Sequence, residues 1–176
     1  KNQHCGRMTD ESKQAAKESA KAGALIVPVS PFQQNCTVLW NASTMHGVVI
    51  DPGGDVPQIL AGIKQAGITV DEIWITFPDP QPQSTRKRAR LTNPIFLERY
   101  RKFLKKGGLV HLKTDSTSFY EYTLEVIKEN NLPVIWQTNN LYQHCPANRQ
   151  ELITIKTHYE DRKSTRLNSS HGYRSR

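Results

Sequence analysis

Two aspartates stand where strand-like runs give out. Asp79 lies in WITFPDPQP, between Pro78 and Pro80, and Asp115 closes GLVHLKTD. The prolines fix the backbone on both sides of Asp79 and forbid an immediate helix. A stiff mounting aims a carboxylate, as a preorganised site requires. The plain alternatives are a tight turn for Asp79 and helix initiation for Asp115. Beyond Asp79 come Arg86, Lys87, Arg88 and Arg90, and Arg99, Arg101, Lys102, Lys105 and Lys106 extend the positive charge. Such cations neutralise phosphates, with strong salt dependence and little sequence preference. A solvated basic face would carry the same run.

The elements that position these residues read as an open α/β sheet. ALIVPVS, CTVLW and HGVVIDPGGD predict three short strands. Asp55 is placed to cap a helix over VPQILAGIKQA, which Gly67 stops. DEIWITF is the next strand. Asn93-Pro94 opens a helix with Phe96, Leu97, Tyr100, Phe103 and Leu104 on its apolar side, ended by Lys105, Lys106 and Gly107. GLVHLKTD is a strand, and Ser116 caps a helix in which Phe119, Tyr122, Val126 and Ile127 recur at helical spacing. PVIWQT and ELITIKTHYE are two more strands. In such sheets ligands sit beyond the carboxyl ends of strands, which places Asp79 and Asp115 on one rim.

Composition narrows the classes. The 176 residues carry a net charge of +8 with a pI near 9.5, which suits a polyanionic partner, most simply nucleic acid. A hydrophobic fraction of 36% and a mean hydropathy of −0.62 are polar for a compact domain, so disordered ends are expected. Cys5, Cys36 and Cys145 are odd in number and far apart, which argues against a disulfide framework. No apolar run is long enough to span a bilayer, and no signal-peptide core is found, so a cytoplasmic location is expected.

From Val70 to Glu160 the chain resembles the C-terminal half of a bacterial tRNA (guanine-N7) methyltransferase. The residues that carry the likeness are DEIWITFPDPQP, the basic loop, RLTNPIFLERYRKFLKKGGLVHLKTDS, YEYTLEVIKENNLPV and IKTHYE. The resemblance implies a class I, Rossmann-like methyltransferase fold, S-adenosylmethionine as methyl donor, no metal, and tRNA as partner, methylated at a guanine of its variable loop. It puts the catalytic aspartate on Asp79, also beside the donor, and the substrate-binding aspartate on Asp115. Its closing substrate motif falls on Thr157, His158, Tyr159 and Glu160, and its RNA-contacting stretch on Thr85, Arg86, Lys87, Arg88 and Arg90. One position departs: Gln83 stands where the family often has a substrate-binding lysine. Guanine N7 has a free lone pair, so transfer from a sulfonium needs positioning rather than a strong base. A fixed carboxylate can meet the positive charge that develops on the purine.

Upstream, Ala24 to Trp74 resembles the N-terminal segment of a metallo-β-lactamase-fold, glyoxalase-II-like hydrolase, through VPVSPFQQNCTVLW, GVVIDPGGD and the following helix. That family's HxHxDH zinc motif is replaced by FPDPQP. A class I methyltransferase needs a glycine-rich first turn upstream of Asp79, and DPGGD, the one candidate, has the wrong spacing and reads better as a turn or helix entry. The tail DRKSTRLNSSH resembles a translated sequencing-library adapter. The reading is thus a chimeric chain joined at VDEIWIT, with a natural fusion as the alternative. Its parts are a flexible tail over 1–23, a metallo-β-lactamase-like fragment over 24–69, a methyltransferase half over 70–160 and an unstructured stretch over 161–176. Two poorly fused half-folds are expected, or a well-formed C-terminal half with an awkward N-terminal one. The competing functions are an inert hydrolase fragment and a non-catalytic basic RNA-binding module.

Overall fold

The computed structural model describes residues 22–29, 34–154 and 168–174. Alternating apolar residues build an antiparallel meander. In β1 (Ala22–Val29) Val27 and Val29 turn inward; in β2 (Gln34–Asn41) Cys36 and Val38 do; in β3 (His46–Ile50) Gly47 and Val49 do. The Asn41 side chain accepts hydrogen bonds from the Ser43 and Thr44 amides at 2.8 and 3.2 Å, which shapes the β2–β3 turn.

Three crossovers follow. Helix α1 (Val56–Ala66) leads to β4 (Thr69–Thr76), α2 (Pro94–Tyr100) leads to β5 (Leu104–Thr114), and α3 (Thr117–Glu129) leads to β6 (Val134–Thr138). A short α4 (Glu151–Thr154) and β7 (Asn168–Arg174) complete the described α-helices and strands. β3, β4 and β5 run parallel, and the seven strands form one sheet in the order β1-β2-β3-β4-β5-β7-β6. This is a mixed α/β architecture with a Rossmann-like parallel centre.

One face of the sheet packs on all three long crossovers. Ile59 and Ile63 of α1, Phe96, Leu97 and Tyr100 of α2 and Phe119, Tyr122 and Val126 of α3 share a core with Val38, Val49, Ile73, Ile75, Val110 and Leu112. The other face carries a smaller cluster in which Leu141 and Leu152 cover Trp74, Phe77 and Trp136. Towards β1 and β2 this second face is open, with Ile26 59% exposed.

Several expectations are corrected. The two regions of different resemblance do not form separate half-folds: β3 pairs with β4 from His46↔Thr69 to Ile50↔Trp74, and one core runs beneath both. Backbone pairing requires only matched strand faces, which the buried partners Val49 and Ile73 supply. Asp55 occupies the N-cap position of α1 but makes no side-chain cap bond, because its backbone is left-handed (φ 42°) where a capping residue is extended. Helix α2 ends at Tyr100, and Gly107 (φ 76°) lies inside β5 rather than closing a helix. There Leu104 pairs with Val70 and Leu109 with Glu72, so the residues between bulge out and need a glycine. Glu151–Thr154 is helical, not the start of a strand; the remainder of that expected strand lies outside the described residues. The stretch expected to be without structure supplies β7, which pairs antiparallel with both β5 and β6. NSSHGYR lacks an apolar pattern, but a ladder needs only backbone donors and acceptors, and no proline interrupts it.

Candidate functional site

The parallel centre brings three strand ends to one edge. Thr76 pairs with Lys113 at the ends of β4 and β5, so the turns carrying Asp79 and Asp115 leave the sheet side by side. Asp79 is exposed, and its Oδ1 accepts a 2.9 Å bond from the Gln81 amide, closing the FPDPQ turn. Asp115 is half-buried. Ser116, not Asp115, caps α3: its Oγ accepts from the Phe119 amide at 3.3 Å.

The third strand end contributes a residue that the sequence reading treated as part of a turn. Asp51 follows β3, and its amide donates to the Trp74 carbonyl at 2.8 Å. The Asp51 carboxylate accepts from the Thr76 amide and the Thr76 hydroxyl, both at 2.7 Å. One residue later the Phe77 amide donates to the Lys113 carbonyl at 2.7 Å, so β3, β4 and β5 are tied together at their ends. Asp51, Phe77 and Gln81 all have left-handed backbones, with φ of 53°, 47° and 43°. Such conformations are costly outside glycine and gather where a rigid frame enforces them. Burial pushes the Asp51 carboxyl above the usual carboxylate range, against the two Thr76 hydrogen bonds. Cys36 is wholly buried, and burial and then the nearby Asp51 charge push its thiol up to about 12. The signal in the sequence was an aspartate closing a third apolar strand, the same signal that picked out Asp79.

Beside the rim, residues Ser84–Ala89 form a 3-10 turn, η1, on which Thr85, Arg86, Lys87 and Arg88 are exposed. Gln83 is exposed at the position preceding η1. Arg90 is placed differently from its neighbours. It is 5% exposed, its Nη2 donates to the Gln81 carbonyl at 3.1 Å, and its guanidinium lies 4.3 Å from the centre of the Tyr122 ring. Asn93 Nδ2 donates to the Tyr122 hydroxyl at 2.9 Å. Arg90 thus fastens the basic loop to α3, and its charge is not presented with the other cations. Thr157, His158, Tyr159 and Glu160 lie outside the described residues.

On the second sheet face Trp74 Nε1 donates to Glu72 Oε2 at 2.9 Å, and His111 Nε2 lies 3.2 Å from the same oxygen. The His111 ring stacks on Trp74 at 4.3 Å. The close His111 ring nitrogen, against the cost of burial, and then the Trp74 hydrogen bond hold the Glu72 carboxyl down at about 2. Among the described residues no three His, Cys, Asp or Glu side chains converge as a metal site, and no helix is long and apolar enough to cross a membrane.

The chain is 48% identical over 91 residues to the tRNA (guanine-N(7)-)-methyltransferase of Bacteroides thetaiotaomicron, covering 52% of this chain and 34% of that protein. It is 49% identical over 92 residues to the Porphyromonas gingivalis protein of the same name, covering 52% and 36%. It is 39% identical over 108 residues to that of Mesomycoplasma hyopneumoniae, covering 61% and 50%. The chain spans about a third of the length of the first two relatives. Among solved structures, a B3 metallo-β-lactamase, BLEG-1, matches 31% of this chain and 26% of that one, at 31% identity and a TM-score of 0.29. Residues 58–171, more than half of the chain, match the methyltransferase family Methyltransf_4, and the chain belongs to that family.

Proposed function

We propose that this chain carries the guanine- and tRNA-facing half of an S-adenosylmethionine-dependent tRNA (guanine-N7) methyltransferase site. The observation that carries the reading is the shared rim of β4 and β5, with Asp79 and Asp115 leaving adjacent parallel strands beside the exposed cations of η1. In this reading Arg86, Lys87 and Arg88 hold tRNA phosphates and Asp115 orients the guanine. The Asp79 carboxylate faces the purine, where it would offset positive charge at N7. Gln83 replaces a cation with a neutral donor at the edge of that pocket. A cytoplasmic location follows from the substrate.

The described residues do not fit the methyl donor. A donor pocket of this class needs an acidic residue after a second parallel strand, next to the first. Here the neighbour of β3 on the side away from β4 is β2, which runs antiparallel and presents its first residue, Gln34, at the rim. The one carboxylate at the end of β3, Asp51, is engaged by Thr76. This misfit favours a second reading, a basic RNA-binding module without catalysis.

Two titrations separate the readings. Purified chain is titrated with tRNA across a range of salt, and separately with radiolabelled S-adenosylmethionine. The proposed site binds tRNA with an affinity that falls steeply with salt, and the misfit predicts little donor binding. Donor binding with methyl transfer to tRNA would overturn the misfit. Absence of tRNA binding at low salt would overturn the proposed site itself.

A further inference from the structure

We propose that Asp51 is a positioning residue for Asp79, supplied by a segment outside the methyltransferase family match, which begins at residue 58. The proposal rests on the reading of the rim as the guanine site. Asp51 grips both donors of Thr76, its amide and its hydroxyl, at 2.7 Å each. Thr76 is the last residue of β4, and the next residue, Phe77, turns through a left-handed backbone into Pro78 and Asp79. With Phe77 tied to the Lys113 carbonyl at 2.7 Å, the clamp fixes both sides of the point where the chain leaves the sheet. From there the prolines leave few soft dihedrals before the Asp79–Gln81 bond closes the turn. The direction of the Asp79 carboxylate is therefore set three residues upstream, at Thr76, by a side chain from the neighbouring strand end.

The clamp also explains why a left-handed backbone persists at Asp51. At φ 53° the residue tolerates the strain better than a branched side chain would, and its short side chain reaches across to β4. Glutamate would overshoot and alanine would leave two donors without their acceptor. Asparagine can replace it: the amide oxygen accepts from the Thr76 N–H, and the amide nitrogen donates to the Thr76 hydroxyl.

The test uses the full chain labelled with nitrogen-15, with the Gln81 amide as the local probe because it bonds the Asp79 carboxylate directly. Asp51→Ala is expected to move the Gln81 resonance and to abolish protection of the bound guanine N7 against dimethyl sulfate, while salt-dependent tRNA binding persists. Asp51→Asn is expected to restore both. Thr76→Val, which removes only the hydroxyl bond, should move Gln81 part of the way, and it serves if the alanine variant does not fold. A core control, Ile59→Val, should lower stability without moving Gln81. The inference is overturned if Gln81 stays in place in Asp51→Ala or in Thr76→Val, or if Asp51→Asn behaves like the alanine variant. If the wild-type chain fails to bind tRNA while Gln81 responds as expected, the rim reading fails and the clamp stands.

Discussion

Replacing Arg90 with alanine should destabilise the fold while leaving the phosphate-binding charge almost intact. The sequence places Arg90 in a run of cations, yet it is 5% exposed, bonded to the Gln81 carbonyl at 3.1 Å and stacked 4.3 Å from Tyr122. A bond from a charged donor contributes about 1.5–3 kcal/mol, and a desolvated cation–π contact about 1–2 kcal/mol. Relief of the buried guanidinium's desolvation offsets part of this, so Arg90→Ala should cost about 2–3 kcal/mol. Arg90→Lys keeps the charge but loses the planar fork and should recover less than half of that. Urea unfolding followed by tryptophan fluorescence measures the loss, and tRNA titrations across salt measure the charge contribution. Each phosphate contact removed should lower the slope of log K against log salt by about 0.7–0.9. Arg86→Ala should therefore flatten the slope with little change in stability, and Arg90→Ala should do the reverse. The reasoning is refuted if Arg90→Ala unfolds within about 0.5 kcal/mol of wild type, the usual effect of a bland surface change, or if it flattens the salt slope as Arg86→Ala does.

Other outcomes follow from the same geometry. Glu72 has a folded-state pKa of about 2, below its unfolded value. Its contribution is therefore complete above about pH 4.5 and lost as pH falls towards 2, and Glu72→Gln should flatten acid unfolding in that window. Cys36 is wholly buried with its thiol pushed up to about 12, so brief iodoacetamide treatment at pH 8 should leave its peptide unmodified until urea is added. Ser116→Ala removes the α3 cap bond to Phe119 and should cost about 1 kcal/mol in urea unfolding.

Local chemistry with one structural solution was legible in the sequence. Gly67 takes a left-handed backbone at φ 66° to stop α1, Asn93 caps α2 ahead of Pro94, and Ser116 caps α3. The rim was legible because an aspartate closing an apolar strand must emerge at a sheet edge, and β4 and β5 are parallel neighbours. The errors arose where tertiary pairing overrode local pattern. Lys105, Lys106 and Gly107 have the composition of a helix stop, but pairing of Leu104 and Leu109 with β4 turned them into a bulge. β7 was invisible because its partners, β5 and β6, are remote in sequence and its own residues carry no apolar alternation. Arg90 was misplaced because a run of like charges does not reveal which member turns inward. Asp51 was missed because a PGG sequence reads as a turn, and only the register of β3 on β4 brings its carboxylate to Thr76.

Protection of guanine N7 against dimethyl sulfate tests the central claim most directly, because the reagent alkylates the very atom the rim is proposed to face. tRNA saturated with the chain at low salt should show one variable-loop guanine protected. That protection should be lost with Asp79→Ala and Asp115→Ala while phosphate-driven binding persists. Equal reactivity of every guanine in free and saturated tRNA would contradict the account.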